Sequence, residues 1–400
     1  MSMNVALDRR RGYAGPALFS YGFRPFFLAA ASWAVLGILL WLPQYSGAFT
    51  LPTAFAPLDW HIHEMIYGTV GAAIAGFLLT AIPNWTGRLP VNGWPLAGLV
   101  GLWLGGRVAI FVSARIGLVT AAVIDIAFLV TLAAVAAREI MAGRNWRNLR
   151  VLVVLGGLIA GNVVFHLEVL SRGAADDGIR IAIAAIILLI SLIGGRIVPS
   201  FTNNWLTRNN PGRSPIPFSR FDAVTLVASA LALASWIVVP DHVVTGALLL
   251  LAGLVQLVRL ARWAGDRTIA DRLVLVLHVA YAFLPLGFLL LGASRLSSDV
   301  PASGGLHAWT AGAAGLMMLA VMTRASLGHT GRPLIASAAT QTIYALAVVA
   351  ALLRIAAACV GATALLHAAG FAWIAAFGGF IVVYGPLLTR QRPAWIEARC

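Results

Sequence analysis

The sequence predicts an all-α, polytopic membrane protein of about twelve transmembrane helices. Three observations carry that prediction. The 400 residues are 60% hydrophobic and only 10% charged, where a soluble domain has roughly 25% charged residues. Apolar runs of about 20 residues, enough for a helix to cross a hydrocarbon core, recur from end to end. The 28 basic residues, all of them arginine, gather mainly in alternate gaps between those runs.

In order, the predicted spans are Pro25–Leu42, Trp60–Ile82, Pro95–Val112, Leu118–Ala137, Leu149–Leu170, Ile179–Val198, Phe221–Val239, Val243–Trp263, Leu273–Ala293, Gly305–Thr323, Ile335–Cys359 and Ala364–Leu388. Assigning every second gap to the cytoplasm leaves Arg115, Arg172, Arg180 and Arg295 on the opposite side and Arg107 and Arg354 inside spans. The other 22 of the 28 arginines then lie with the termini, Arg259 among them. Such a bias places both termini in the cytoplasm. The reading is one transmembrane domain, residues 1–400, with a cytoplasmic segment at 1–20 and a cytoplasmic tail at 389–400. The longest polar stretch, Ser200 to Arg220, is too short to bury a core of its own. No signal-peptide pattern opens the chain, which is expected to stay intact.

The formal charge of +14 is spread between spans rather than gathered in one patch. It therefore points to a lipid bilayer and away from nucleic acid as the partner. Cys359 and Cys400, the two cysteines, make neither a covalent-haem CxxCH motif nor a zinc pattern, and no disulfide is expected.

The second span opens with WHIHEM and ends in TGR; the tenth opens with His307 and ends in TGR again. His63 stands at the same interval from Gly87 as His307 from Gly331, with Gly68 and Gly71 matching Gly312 and Gly315. A third copy follows in the sixth span, where GGRIVPSFTNNW echoes LLTAIPNWTGR and Pro199 matches Pro83. Spans 2, 6 and 10 are evenly spaced, which suggests three four-helix units around a pseudo-threefold axis.

Ionisable side chains within a membrane are functional suspects. His61, His63, His166 and His307 fall near the outer face, and His278 lies deeper. His242, His329 and His367 fall in or beside loops. His63 and His307, above small-residue faces that include Gly71 and Gly315, are placed to hold a flat metallocofactor such as haem between two helices. The alternative is that the small residues form an ordinary helix-packing face. His61 lies two residues from His63 and points away from it, so one of the two serves a second metal, a propionate or the hydrated interface. Glu64 either orients an imidazole or ends the helix in water. His166, with Asn162 one turn before it, is a metal ligand or a hydrogen-bonded core histidine. His278 shares a helix face with Tyr281, as a proton-delivering or metal-binding pair or as a structural one. Buried Arg107 and Arg354 each need an anion: a haem propionate, an intramembrane carboxylate (Asp125 for Arg107), or the headgroups.

The stretches FRPFF, WHIHEM with GFLLTAIPNWTG, NVVFH, GRIVPSFT, LHVAYAFLPLG and HTGRP resemble the signatures of the NnrS family over nearly the whole chain. The resemblance implies a bacterial inner-membrane protein that carries haem and copper and serves the nitric oxide, or nitrosative stress, response. Its histidine-bearing motifs fall on His61, His63, His166, His278, His307 and His329. A looser likeness to haem–copper oxidases rests on twelve spans and on histidines in spans 2 and 10. Spans 6 and 7 lack the histidines of that copper site, so a copper site is expected elsewhere, from His61, His166 or His278. Met65, Met317, Met318 and Met322 offer soft donors.

The expected function is binding, sensing or turnover of nitric oxide or another small gas at an intramembrane haem near the periplasmic side. As an enzyme it would be a nitric-oxide-directed oxidoreductase with an electron donor as partner. The rival is a membrane transporter of a metal, haem or small anion, compatible with the internal repeats and buried charges.

Overall fold

A computed structural model describes Tyr13 and residues 15–391 of the chain. Most of the predicted terminal segment, with Arg9, Arg10 and Arg11, lies outside the described residues, as do Arg392, Arg399 and Cys400. Twelve described helices are long and apolar enough to cross a membrane, and no strand occurs among the described residues. They are α1 (Phe23–Tyr45), α2 (Pro57–Thr86), α3 (Gly93–Phe111), α4 (Leu118–Ala142), α5 (Leu149–Arg172), α6 (Asp177–Asn209), α7 (Arg220–Val238), α8 (Val243–Ala261), α9 (Arg272–Ala293), α10 (Ala302–His329), α11 (Ala338–Val360) and α12 (Thr363–Thr389). The protein is a multi-pass, all-helical membrane protein.

Each predicted span has its helix, but several helices run past their predicted ends, α1 to Tyr45 and α4 to Ala142 among them. α2 continues through Pro83, α6 through Pro199, and α10 past Arg324 to His329. Polar residues or proline follow those predicted ends in the sequence. A helix, however, ends where its hydrogen bonds do. Proline removes one backbone donor, and the flanking ladder survives.

The chain divides into two compact units. The first holds the chain up to Ala182, the segment Ala325–Pro333 and the chain from Phe380; the second holds Ile183–Arg324 and Leu334–Gly379.

Backbone geometry supports the internal repeat. Within α2 the residues Glu64–Val70 form a π-helical segment, and within α10 Ala308–Gly315 do the same. Each begins on the residue after its matched histidine, His63 or His307. A π segment inserts an extra residue into the helical ladder and is found disproportionately at functional sites. α6 carries a shorter one at Ile190–Gly194, nearer its proline than the segment in α2. The third copy thus shares the distortion without its register. The repeated TGR is a helix stop: Gly87 and Gly331 have φ of 69° and 74°, a left-handed conformation that favours glycine. The preceding Thr86 and Thr330 hydroxyls donate back to the carbonyls of Ile82 and Ser326, at 2.8 and 2.6 Å.

Two further motifs tie the first unit together. Arg24 of FRPFF is buried and donates to the carbonyls of Leu387, Leu388 and Arg390, at 3.2, 2.9 and 2.8 Å, capping the end of α12. His329 of HTGRP stacks on Tyr21 and packs against Phe23, with ring centroids 5.5 and 5.4 Å apart. These residues close helix ends.

Candidate metal centre

In the first unit, α2, α3, α4 and α5 each carry charged or polar side chains to one buried cluster. α2 begins with Pro57 in its first turn, the position where a missing backbone donor costs nothing. Six residues later the α-helix gives way to the π segment, and His63 and Glu64, neighbours in sequence, are both 0% exposed. The carbonyl of Gly68, inside that segment, accepts from the Trp103 indole at 3.0 Å.

His63 Nδ1 lies 3.0 Å from Glu64 Oε1, and His63 Nε2 lies 3.2 Å from Asp125 Oδ2 and 3.3 Å from Asn162 Oδ1. His166 Nε2 approaches the same Asp125 oxygen at 3.2 Å. Asn162 and His166, one turn apart on α5, share a face, and the Asn162 amide donates to Asp125 Oδ2 at 2.8 Å. Arg107 donates from Nη1 to Glu64 at 2.7 Å and from Nη2 to Asp125 Oδ1. Trp33 on α1 donates to the other Glu64 oxygen at 2.6 Å.

The donor atoms of His63, Asp125 and His166 all lie within 4.8 Å of one another. Two ε-nitrogens and one carboxylate oxygen therefore converge on a single point. Behind them stands the support a metal ligand needs: Glu64 holds His63 by its far nitrogen, while Arg107 and Asn162 hold Asp125. The cluster also has an electrostatic reason to take a cation. Two carboxylates face one guanidinium, which leaves one uncompensated negative charge whenever both imidazoles are neutral. Such a charge is costly in a buried site. A proton or a metal ion beside His63 Nε2 completes the set. The residues fit a metal.

Sequence reasoning singled out His63 and His166, and it offered Glu64 as the group orienting an imidazole and Asp125 as a partner of Arg107. It did not offer Asp125 as a possible metal donor. The available signal was an aspartate in the middle of an apolar span, which needs a cationic partner. Arg107 meets the carboxylates of Glu64 and Asp125, the ion-pair alternative.

The other predicted site residues lie elsewhere. His61 stacks on Trp41 with centroids 4.0 Å apart and is not among the converging donors. His278, in the second unit, places Nε2 2.8 Å from the Thr202 hydroxyl. Its neighbour Tyr281 bonds Gln256 and Arg259 instead, so the two do not form a pair. His242 caps α8 by accepting from the Val244 amide at 3.2 Å.

His307, also in the second unit, donates from Nδ1 to the Ser303 carbonyl at 2.7 Å. That bond leaves Nε2 as the nitrogen with a lone pair, the tautomer a metal ligand needs. Arg354 lies within α11 of the same unit and is partly exposed. The glycine faces, by contrast, are packed. A Cβ at Gly312 would lie 2.4 Å from Phe283, at Gly315 2.6 Å from Trp373, and at Gly68 2.5 Å from Trp33. At Gly71 it would meet only ordinary contacts with Ile66 and Phe128. His307 fits an axial ligand, but the faces at Gly312 and Gly315 do not fit a macrocycle.

A family model described as NnrS protein matches residues 17–392. The chain belongs to the NnrS family. Membership makes it a membrane protein associated with the nitric oxide response, in a family associated with metal and haem binding. The family match covers all twelve described membrane helices of this NnrS chain, including the four that build the buried cluster. Among curated proteins none matches the chain.

Proposed function

We propose that this NnrS protein binds a metal ion at His63, Asp125 and His166 and uses it to bind or turn over nitric oxide inside the membrane. The convergence of two imidazole ε-nitrogens on one buried carboxylate is the observation that carries the reading. A bound metal supplies a Lewis-acidic or redox centre; the protein residues do the rest. Glu64 and Arg107 fix the position of His63 and the carboxylate, and the apolar surroundings admit a small neutral molecule while excluding water. Copper and haem are the cofactors the family leads one to expect. The membrane is the bacterial inner membrane, with both termini cytoplasmic and the cluster toward the periplasmic side, as the arginine bias supports.

The test is to purify the full chain, measure its copper and iron content, and record its absorption spectrum. Bound metal that falls in His166→Ala and Asp125→Asn, together with nitric oxide consumption by membranes that falls with it, supports the proposal. Wild-type protein that binds no metal and leaves nitric oxide untouched refutes it. If that metal-free protein moves a solute across vesicles, the transporter reading replaces it.

A further inference from the structure

The chemistry of the donor set goes further than the presence of a metal. We infer that His63, Asp125 and His166 form a mononuclear centre of two imidazoles and one carboxylate, with coordination positions left open, at which ferrous iron binds nitric oxide directly as a non-haem adduct. This rests on the reading of the cluster as a metal site.

Asp125 is restricted to one donor atom, because Arg107 takes Oδ1 and only Oδ2 faces the two imidazoles. The protein therefore supplies three donors, one from each of α2, α4 and α5. Two histidines and one carboxylate with open positions is the donor pattern of ferrous non-haem centres. The thiolate and thioether donors that select cuprous ion are not among the converging groups. The nearest candidate in sequence, Met65, turns its terminal methyl toward Gly37, where an added Cβ would lie 2.4 Å away.

The walls around the histidines select the exogenous ligand. Phe55 lies with its ring centroid 5.6 Å from His63 and 5.8 Å from His166; Phe165 and Tyr67 lie 5.1 and 4.8 Å from His63. All three rings are buried. Such a lining of buried rings offers a large polar substrate nothing. The Tyr67 hydroxyl is buried and has no hydrogen-bond partner, which makes it a donor in reserve beside the centre. Binding here is ligand addition: the nitrogen of nitric oxide takes an open position, water leaves if present, and no external electron is required.

The experiment uses the purified full chain, stripped with chelator under anaerobic conditions, reloaded with ferrous iron and exposed to nitric oxide. Electron paramagnetic resonance should show the high-spin signal of a non-haem ferrous nitrosyl, in proportion to the protein. The signal should fall about tenfold or more in His166→Ala, whose side chain bonds only Asp125, and in Asp125→Asn. It should persist in His367→Ala. Retained iron without the nitrosyl signal, or a signal undiminished in both ligand variants, overturns the inference. So does a site that takes copper and refuses iron; in that case the metal reading of the cluster still stands. Protein that binds neither metal overturns both.

Discussion

Two buried polar clusters, one in each unit, show what separates a structural network from a chemical site. In the second unit Arg259 on α8 is 1% exposed and meets Asp222 on α7 at 3.0 Å. Its Nη1 donates to the Ser191 carbonyl and lies 3.1 Å from the Tyr281 hydroxyl, which itself donates to Gln256. Gln256 completes the set by donating to Ser191 and Ser229 at 2.7 and 2.9 Å. Asp222 also lies 3.8 Å from Arg262, so its charge is fully met, and the neighbouring hydroxyls and amide are bonded. The first unit differs in two respects: carboxylates outnumber the guanidinium, and two imidazole nitrogens aim at one shared oxygen. A closed network holds helices together, whereas an incompletely compensated one calls for a cation.

The sharpest way to break this comparison is to remove one partner from each cluster. Asp222→Leu strands Arg259 and should cost about 3–5 kcal/mol of stability, read from denaturant unfolding in detergent. Pairing it with Arg259→Met should restore most of that loss, since a buried ion pair is often replaceable by apolar residues of similar size. A double variant no more stable than the single would show that the network does more than hold the bundle. Asp125→Ala should cost a similar amount, about 3–5 kcal/mol, and should also end metal retention, which no variant of the second cluster does.

Metal itself provides the next contrast. At a hundredfold excess over its dissociation constant, a metal ion that binds only folded protein should add about 2.7 kcal/mol to wild type. His166→Ala should gain little, and a calorimetric melt with and without chelator reads the difference. Glu64→Gln keeps the shape of the support but loses its charge, and should weaken metal binding by about 10–100-fold in a titration. Unchanged affinity would mean that Glu64 serves Arg107 and Trp33 alone. The smallest effect is expected of Tyr67→Phe. Removing an unpartnered buried hydroxyl should leave stability within about 1 kcal/mol, while shifting the stretching frequency of nitric oxide bound at the centre.

Much of this was legible in the residues. Hydropathy found the twelve crossings in order, because a bilayer demands a run of fixed length from each helix. It misjudged several ends, those of α2, α6 and α10 among them, where helices run on past proline or arginine. The matched histidines of spans 2 and 10 proved to be matched in backbone as well, each followed at once by a π segment. Arg259 was misread: counted among the cytoplasmic arginines, it is a buried partner of Asp222, because an arginine near a helix end carries no mark of what its neighbours provide. Cluster membership was only half legible. His63, Glu64 and His166 stood out as polar groups in apolar spans, but the convergence of three helices on Asp125 involves residues far apart in the chain.

Composition and periodicity alone determined the class of molecule, the number of crossings and the internal repeat, since each depends on local chain chemistry and the demands of lipid. Tertiary structure decided which histidine meets which carboxylate. It set Asp125 between two imidazoles, turned the glycine faces of α2 and α10 toward Trp33, Phe283 and Trp373, and gave Arg107 two anions where Arg259 has one. Those outcomes depend on which helix faces pack against one another, and no single segment carries that information.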